Sequence, residues 1–478
     1  MTELTPITIR GLKDGCINEN IVDESLYPKG AVHESINWNF DIMGALKTRP
    51  GITQLGDIPT ANTVLGIHHF QNRTTVANSK LIMAANTVVY YLDSATWTSK
   101  LTGLTAGKKT RFMSFLERVW MTNGTDAMKT WSGATADSWD TTTAVSAPAV
   151  KYIENFRSRV WAGWVTAQPS RLYYSSVPSA GAVLWTGSDS GYIDIAPGDG
   201  EEITALKKFS RSLLVFKQNH LYRVASINET EPDPQVFVGT YSQESVVEAK
   251  DGVYFHHPTG IYRIRRGESL PQEISKPISD FISAVPSSFY TNIGSWIDGD
   301  HVYVSLGDLT VNGVTVNNAV ARWTISSEVW TVYSYASELR VGCQYDTGSA
   351  IVTVTGDTVG AIHTLNSGKT DNGTPIFCSL MTGWLNITGL RSDVVTIKKL
   401  SFLHKNAQGF NVSYQNQLSG THEFDEIGML VKQDTLFNNK SIKGNKFRFR
   451  ISGANSGDPA VFQGIEIIEG VNEGITTK

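Results

Sequence analysis

The sequence predicts an all-β fold, a degenerate β-propeller of about six or seven blades with an extended N-terminal arm and a C-terminal β-sandwich. Composition is the first indication: only 18% of the 478 residues are charged, while 12 Trp, 17 Tyr and 19 Phe favour strands. The second is a long succession of short strands separated by polar turns, with no helical stretch between them. The third is an internal repeat of blade length.

Residues 1–60 are expected to form the extended arm, which ends in a turn that contains Gly44, Arg49, Pro50 and Gly51. A basic residue beside glycines is compatible with a phosphate cradle, but such cradles lead into a helix whose N-terminus meets the anion. Here an extended segment follows. Pro50 favours extended backbone at Arg49, and Gly51 can adopt a positive φ, so the sequence favours a structural corner. We expect Arg49 to brace this corner through hydrogen bonds to carbonyls or to a carboxylate.

Residues 61–375 are expected to form the propeller, because one motif recurs there at blade spacing. The pattern F-x-x-R-V-W occurs at residues 115–120 and again, 41 residues later, at residues 156–161. Residues 209–214 resemble a third, divergent copy. A period of roughly 40 to 50 residues with four strands per unit is typical of a propeller blade. A large β-sandwich and a β-solenoid are the competing architectures.

Residues 376–478 contain longer, strictly alternating strands, which predict a small β-sandwich. The clearest is the run 446–451, whose period of two puts apolar side chains on one face and basic ones on the other. A second basic run lies at the end of a predicted hairpin at 262–267. Both runs are usual for a solvated strand face, and both also suit contact with DNA or with an acidic partner. The six basic residues are Arg263, Arg265, Arg266, Lys446, Arg448 and Arg450.

The sequence offers little that indicates catalysis, a cofactor or a metal. No G-x-S-x-G, Walker A, H-E-x-x-H or dinucleotide-binding pattern occurs, so we assign no catalytic, cofactor-binding or metal-binding residue. The double histidines at 68–69 and 256–257 offer only one imidazole to each face of a strand. The acidic glycine loop at 196–202 departs from the calcium-loop pattern, and we interpret it as an acidic turn. Catalytic aspartates without a motif stay an open alternative.

Charge, cysteine content and hydropathy limit the partners and the cellular compartment that we expect for the protein. The net charge of −4 does not favour general binding to duplex DNA, although local basic patches are compatible with it. Three cysteines far apart do not form a disulfide framework. The sequence shows neither a signal peptide nor an apolar run of membrane-spanning length. We expect a soluble protein that folds in a reducing cytoplasm.

The order of these parts resembles that of the tail hub, or nozzle, proteins of short-tailed bacteriophages, including the packaged-DNA stabilisation proteins of the P22 type. In sequence, the resemblance depends on the Arg-Pro-Gly turn, on "FRSRVW…RLYYSS" and "FSRSLLVFKQNHLYRV" in the propeller, and on "KFRFRISG…FQGIEIIE" near the C-terminus. It implies a structural virion protein without catalysis, assembled in the host cytoplasm as a homo-hexameric ring below the portal and its adaptor protein. Packaged DNA would pass through the ring without sequence specificity, and tail fibre, spike or needle proteins would attach below.

Two other functions are compatible with a propeller. A carbohydrate-binding, receptor-binding propeller would repeat a pocket of aromatic and carboxylate residues in each blade, whereas the tryptophans here occur in different contexts. A glycan hydrolase would place paired carboxylates at one end of a blade, and the sequence alone leaves this possibility open.

Overall fold

The computed structural model of the chain describes residues 2–17, 27–28, 30–42, 44–228, 234–311, 313–388, 393–417, 423–431 and 433–475. These residues are nearly all β-structure, with a propeller and a sandwich, which confirms the predicted fold class. The helical segments are short: Val76–Asn78, Gln243–Ser245, Lys276–Ile278, Ser279–Ser283 and Ser287–Asn292. None of the helices in the described ranges has the length and apolar character required to cross a membrane.

Six separate antiparallel sheets in the described part of the chain have the form of propeller blades. Blade 1 comprises Val64–Phe70, Lys80–Ala85, Val88–Asp93 and Thr96–Leu101, and blade 2 comprises Arg111–Phe115, Arg118–Thr122 and Lys129–Trp131. Blade 3 comprises Tyr152–Phe156, Arg159–Val165, Gln168–Tyr174 and Gly191–Asp194, and blade 4 comprises Ala205–Phe209, Ser212–Phe216, Leu221–Val224 and Pro234–Val236. Blade 5 comprises Val247–Glu248, Gly252–His257, Gly260–Arg265 and Gln272–Glu273, and blade 6 comprises Leu339–Asp346, Ile351–Asp357, Ile362–Thr364 and, from the N-terminal region, Thr53–Gln54. A short parallel pair, Ala144–Val145 with Val183–Leu184, lies between blades 2 and 3.

A seventh meander, here called the linking meander, lies between blades 5 and 6. It consists of Ser295–Asp298, His301–Val311, Val314–Thr324 and Val329–Ser334. Apolar clusters fill the space between successive blades from blade 1 to blade 5, and between blade 5 and the linking meander. Two further clusters join the linking meander to blade 6 and blade 6 to blade 1. Each blade buries both of its faces only because it has a neighbour on either side, so the ring is the stable unit.

The repeated F-x-x-R-V-W motif forms the hairpin between the first two strands of blades 2 and 3. Both turn residues of each hairpin have a positive φ, as a two-residue type I′ turn requires. The indole Nε1 of Trp120 donates to the Phe115 carbonyl at 2.8 Å, and that of Trp161 donates to the Phe156 carbonyl at 3.1 Å. Each tryptophan therefore closes its own hairpin while its ring is buried between blades.

The arginine of the same motif fastens the hairpin to the outer segment of its blade. Arg118 contacts Asp140 at 2.5 Å in blade 2, and Arg159 contacts Asp189 at 2.6 Å in blade 3. Asp140 forms a bridge with Thr130, and Asp189 lies just before the outermost strand of blade 3. The repeat therefore encodes a turn, an indole hydrogen bond and an ion pair, all within a single blade.

The sandwich consists of two large sheets that pack around one core. The eight-stranded sheet contains Thr2–Glu3, Ile7–Arg10, Trp38–Ile42, Ala45–Thr48, Asp393–Lys405, Thr435–Phe437, Ile442–Gly444 and Val461–Ile475. The nine-stranded sheet begins with the four strands of the linking meander and continues through Val32–Ile36, Ile376–Thr382, Phe447–Asn455, Asn411–Asn416 and Asp425–Met429. The propeller and the sandwich thus share one sheet.

The N-terminal segment differs from the extended arm expected for residues 1–60. The strand Ile7–Arg10 pairs with the C-terminal strand Val461–Ile475, and Val32–Ile36 pairs with Ile376–Thr382. These strands are extended, but they pair with residues hundreds of positions away, and no local pattern in the sequence records such a partner. The segment belongs to the sandwich and then closes blade 6.

Candidate functional site

The Arg-Pro-Gly turn lies where the sandwich, the linking meander and blade 6 meet. Arg49 follows a strand of the eight-stranded sheet, and its guanidinium donates to both oxygens of Asp371, at 2.6 and 2.9 Å. The same group donates to Asn37 Oδ1 at 2.7 Å, to the Ser334 carbonyl at 2.6 Å and to the Pro50 carbonyl at 3.0 Å. One side chain therefore fastens three parts of the fold, and its acceptors are carbonyl, amide and carboxylate oxygens.

The environment of Arg49 is that of a structural cation. Its side chain is fully buried and stacks 4.1 Å from the ring centre of Tyr335. Burial alone would lower the pKa of Arg49, but the hydrogen bonds to Asp371 outweigh burial and raise it. Protein oxygens accept the hydrogen bonds of the Arg49 guanidinium, so this group is not available to bind an external anion.

The glycines of the turn have different roles. Gly44 has a φ of +77°, a conformation that side chains rarely adopt, just before the strand Ala45–Thr48. Gly51 was expected to supply a positive φ, but it is absent from the positive-φ glycines of the described chain. A Cβ atom at Gly51 would lie 2.0 Å from the Thr370 carbonyl oxygen. The requirement for glycine is therefore close approach of two backbones.

The first basic run, at 262–267, is paired within blade 5 and its surroundings. Arg263 contacts Glu328 at 3.1 Å and Asp251 at 3.6 Å, and only 3% of its side chain is exposed. Arg265 contacts Glu328 at 2.6 Å, and Arg266 contacts Glu248 at 3.1 Å. Arg263 was expected as a possible DNA or partner contact, but strand pairing on both sides buries it and leaves it almost no exposed surface for one. Arg265 and Arg266 lie at the surface.

The second basic run confirms the predicted alternation. Phe447, Phe449 and Ile451 face the core, whereas Arg448 and Arg450 point to the opposite side of the nine-stranded sheet. Lys446, also expected as a possible DNA or partner contact, is buried. Period two fixes the face on which a side chain lies but not its depth, so the pattern did not predict this burial.

Arg448 and Arg450 form a cationic group on aromatic rings. The guanidinium of Arg448 lies 4.7 Å from the ring centre of Trp384, and that of Arg450 lies 4.2 Å from the ring centre of Phe424. Burial, followed by repulsion from Arg450, lowers the pKa of Arg448. Glu34 approaches Arg450 at 3.5 Å, so one carboxylate faces two cations. This patch is half-buried and carries net positive charge.

The acidic loop at 196–202 holds a cation supplied by the chain itself. The ammonium group of Lys217 has no exposed side-chain area and contacts both oxygens of Asp199, at 2.7 and 2.8 Å. It also donates to the Ala196 carbonyl at 3.1 Å. Glu201, in turn, pairs with His220 at 2.9 Å. Asp199, Glu201 and His220 form the one cluster of potential metal ligands in the described ranges, and Lys217 contacts both oxygens of Asp199 in it.

Of the double histidines, His256 and His257 are buried, whereas His68 and His69 are half-buried. Burial lowers the pKa of His68 to about 4 and that of His256 to about 3. His68 shares a hydrogen bond with Ser114 at 2.8 Å, and His256 lies 5.9 Å from the ring of Tyr290. Both contacts are those of packing within and between blades.

Charged side chains span the propeller axis at one mouth. The first strands of neighbouring blades contact one another and are therefore innermost. Glu244, just before blade 5, contacts Lys109 at 2.8 Å and Arg111 at 3.0 Å, although Lys109 immediately precedes blade 2 and Arg111 begins it, across the ring. Lys109 also donates to the Thr291 carbonyl at 2.6 Å. Sequence reasoning missed this cluster, since its members are 135 positions apart and have no motif.

The carboxylate in this axial cluster is strongly stabilised in its charged form. Burial alone would raise the pKa of Glu244, but Arg111 and Lys109 outweigh burial and lower it to about 2. The amide of Gln243 holds the adjoining backbone through two hydrogen bonds to Leu206, at 2.7 and 3.0 Å. The axis is thus closed at this mouth by a fixed network.

No protein-family model and no curated protein matches the chain. Among solved structures, the AfRom2 CNH domain is similar at 9% identity and a TM-score of 0.41, over 67% of this chain and 98% of that one. The extracellular domain of a hybrid two-component system from B. thetaiotaomicron is similar at 9% identity and a TM-score of 0.48, over 86% of this chain and 56% of that one. Similarities at this level carry no argument about function.

Proposed function

We propose that this chain is a structural protein of the tail of a short-tailed bacteriophage, of the hub or nozzle type. Six copies would form a ring below the portal and its adaptor protein. The observation that carries the proposal is the sheet shared by the propeller and the sandwich, fastened by the buried pair of Arg49 and Asp371. A tail component has to hold an adaptor and an appendage at a fixed spacing, and a continuous sheet suits that task.

The closed propeller axis supports a channel between copies. Lys109, Arg111 and Glu244 span the mouth of the axis, so DNA would not thread a single propeller. In a closed ring of identical copies, the passage lies on the rotation axis of the ring, and the sides of the propellers form its contacts. Packaged DNA would then slide past the outer surfaces of six chains, without sequence-specific contacts.

The electrostatics of the chain support a role without catalysis. A general acid for glycoside hydrolysis needs a carboxyl group with a raised pKa. The described carboxyl groups whose pKa values clearly depart from the ordinary ones all shift downward: Asp126, Asp140, Asp189, Glu201, Glu244, Asp300, Asp458 and Glu473. Each accepts hydrogen bonds or faces cations, as carboxylates do in structural networks.

The exposed and half-buried cations at the surface are the candidate sites for retaining DNA in this ring. Arg265 and Arg266 have 42% and 57% of their side chains exposed, and Arg448 with Arg450 forms the patch on the sandwich. Each guanidinium in the first pair already faces a carboxylate, which would weaken adhesion and allow DNA to slide. Reversal of charge at both exposed positions, with Arg265→Glu and Arg266→Glu, should release packaged DNA more readily from assembled particles. Unchanged retention would remove these two residues from the proposal.

A carbohydrate-binding propeller is the second candidate, and one cleft favours it. The cleft has a volume of about 580 Å³ and lies between blades 3 and 4. Arg171 and Asp194 line this cleft and pair at 2.7 Å, and beside the cleft the Arg171 guanidinium stacks 3.6 Å from the ring centre of the exposed Tyr192. Sugar sites combine an exposed aromatic ring with polar groups in this way. A glycan array with the purified chain, and with Tyr192→Ala as the matched variant, tests this candidate.

Imaging of the chain with portal–adaptor complexes tests the first candidate. Negative-stain images should show a six-fold ring below the adaptor. A chain that stays monomeric in these mixtures and turns over a glycoside would overturn the proposal. Saturable glycan binding that is lost in Tyr192→Ala would support the second candidate.

A further inference from the structure

A polar cleft opens at the mouth of the propeller axis, above the Lys109–Glu244 pair. Its volume is about 350 Å³, within the range of small-molecule sites. The side chains that line it include Asn62, Asn86, Lys109, Asn292 and Arg340. These residues come from blade 1, blade 2, the segment before the linking meander, and blade 6, so the ring assembles the cleft from four places.

Positive charge exceeds negative charge around this cleft. Lys109 and Arg111 share one carboxylate, that of Glu244. Arg340 pairs with Glu338 at 2.7 Å. Two carboxylates, those of Glu244 and Glu338, therefore face three cations.

The neighbouring charges act on the pKa of Lys109. Burial lowers the pKa of Lys109, Glu244 opposes this effect, and Arg111 and Arg340 lower the pKa further. An anion in the cleft would therefore meet cations that the protein has only partly neutralised.

Hydrogen-bond donors stay available in the cleft. The ammonium group of Lys109 has three N–H bonds, and its protein acceptors are Glu244 and Thr291. Arg340 donates through Nε to Glu338, and within the described ranges its two terminal nitrogens have no protein acceptor. The ring of Phe289 lies 5.8 Å from the Arg340 guanidinium and limits where that group can lie.

We propose that this axial cleft binds a small anion through a phosphate or carboxylate group held between Lys109 and Arg340. Charge-assisted hydrogen bonds from an ammonium and a guanidinium are the strong contacts that such groups prefer. The amides of Asn62, Asn86 and Asn292 would contact the remainder of the ligand. The site is independent of the proposed tail function, since it lies within one chain.

Calorimetric titration of the full chain with inorganic phosphate, and separately with acetate, tests the proposal. We expect saturable binding of one anion per chain. Whichever of phosphate and acetate has the lower Kd identifies the chemical group that the cleft prefers. Arg340→Gln should raise the Kd at least tenfold, because it removes the free donors. Arg266→Gln, which removes the same charge from a remote exposed site, should change the Kd less than twofold.

Three outcomes would overturn the proposal. The first is the absence of saturable binding with either anion. The second is an equal loss of affinity in Arg340→Gln and Arg266→Gln, which would indicate a general effect of net charge. The third is unchanged affinity in both Arg340→Gln and Asn292→Ala, two variants that avoid the buried Lys109–Glu244 pair and so preserve the fold. Unfolding midpoints of both variants check that they are folded.

Discussion

The propeller and the sandwich are built from the chain in opposite ways. A blade such as blade 3 is a contiguous piece of sequence, and its hairpin, indole hydrogen bond and ion pair all lie within it. The sandwich instead brings both ends of the chain together: Ile7–Arg10 pairs with Val461–Ile475, which also pairs with Asp393–Lys405. The N-terminal segment then leaves the sandwich and completes blade 6.

This difference determines where each part draws its stability. Blades depend on local turns and on the apolar surfaces of their neighbours, whereas the sandwich depends on closure of a very long loop. The Arg49 corner connects the two regions. The following variants perturb the corner, the propeller axis, two blades and the sandwich, in order of expected effect.

Arg49→Met should have the largest effect, because it leaves Asp371 buried without its cation. Loss of one partner of a buried ion pair costs about 3–5 kcal/mol. Urea unfolding followed by tryptophan fluorescence measures the loss in free energy of unfolding. The double variant Arg49→Met with Asp371→Leu should recover part of the loss. A cost below 1 kcal/mol in the single variant would show that the corner does not hold the two regions together.

Glu244→Gln should destabilise the propeller at neutral pH by about 3 kcal/mol. This value follows because the pKa of Glu244 is lowered from 4.5 to about 2 in the folded chain. A carboxyl group whose pKa is lowered by folding stabilises the folded chain at every pH above its unfolded-state pKa, and this contribution is lost as the pH falls toward 2. The difference in free energy of unfolding between wild type and variant, measured by urea unfolding at each pH, should therefore be constant above pH 4.5 and decrease below it. Glu338→Gln, at a more exposed pair, is the control. A gap that does not change with pH would contradict the axial ion pairs.

Trp120→Phe and Trp161→Phe should each cost roughly 1–2 kcal/mol, since each loses an indole hydrogen bond and part of a buried ring. Because the same motif closes both blades, the two costs should agree closely. Denaturant unfolding of the two variants side by side measures them. Costs that differ by more than about 2 kcal/mol would show that the repeat is not structurally equivalent in blades 2 and 3.

Arg10→Ala should have the smallest effect, between 0 and 1 kcal/mol. Its pair with Glu466 at 2.8 Å joins the N-terminal and C-terminal strands, but 61% of the arginine side chain is exposed. Thermal unfolding at low and high salt measures the effect, and high salt should remove it. A loss above 2 kcal/mol would mean that this pair, and not the strand pairing, holds the chain ends together.

The features that the sequence predicted are the local ones. The F-x-x-R-V-W repeat indicated blades because turn, tryptophan and arginine lie within six residues of one another. The run 446–451 indicated a strand for the same reason, and its alternation is confirmed. Arg49 was expected to contact carbonyls or a carboxylate, and it contacts both kinds of oxygen.

The features that the sequence did not predict depend on distant partners. The N-terminal strands pair with residues near the C-terminus, and Glu244 meets cations from the opposite side of the ring. The burial of Arg263 and Lys446 depends on neighbouring strands, which period-two patterns do not specify. Lys217 likewise reaches Asp199 across 18 positions, so the acidic loop holds an ammonium group that its local pattern did not predict.

The number of copies bound to a portal–adaptor complex tests the proposed function most directly. Native mass measurement of the purified complex counts copies of this 52.4 kDa chain. Six copies per complex are expected for a ring of the nozzle type. A chain that adds no mass to the complex at micromolar concentrations would contradict the proposed tail function.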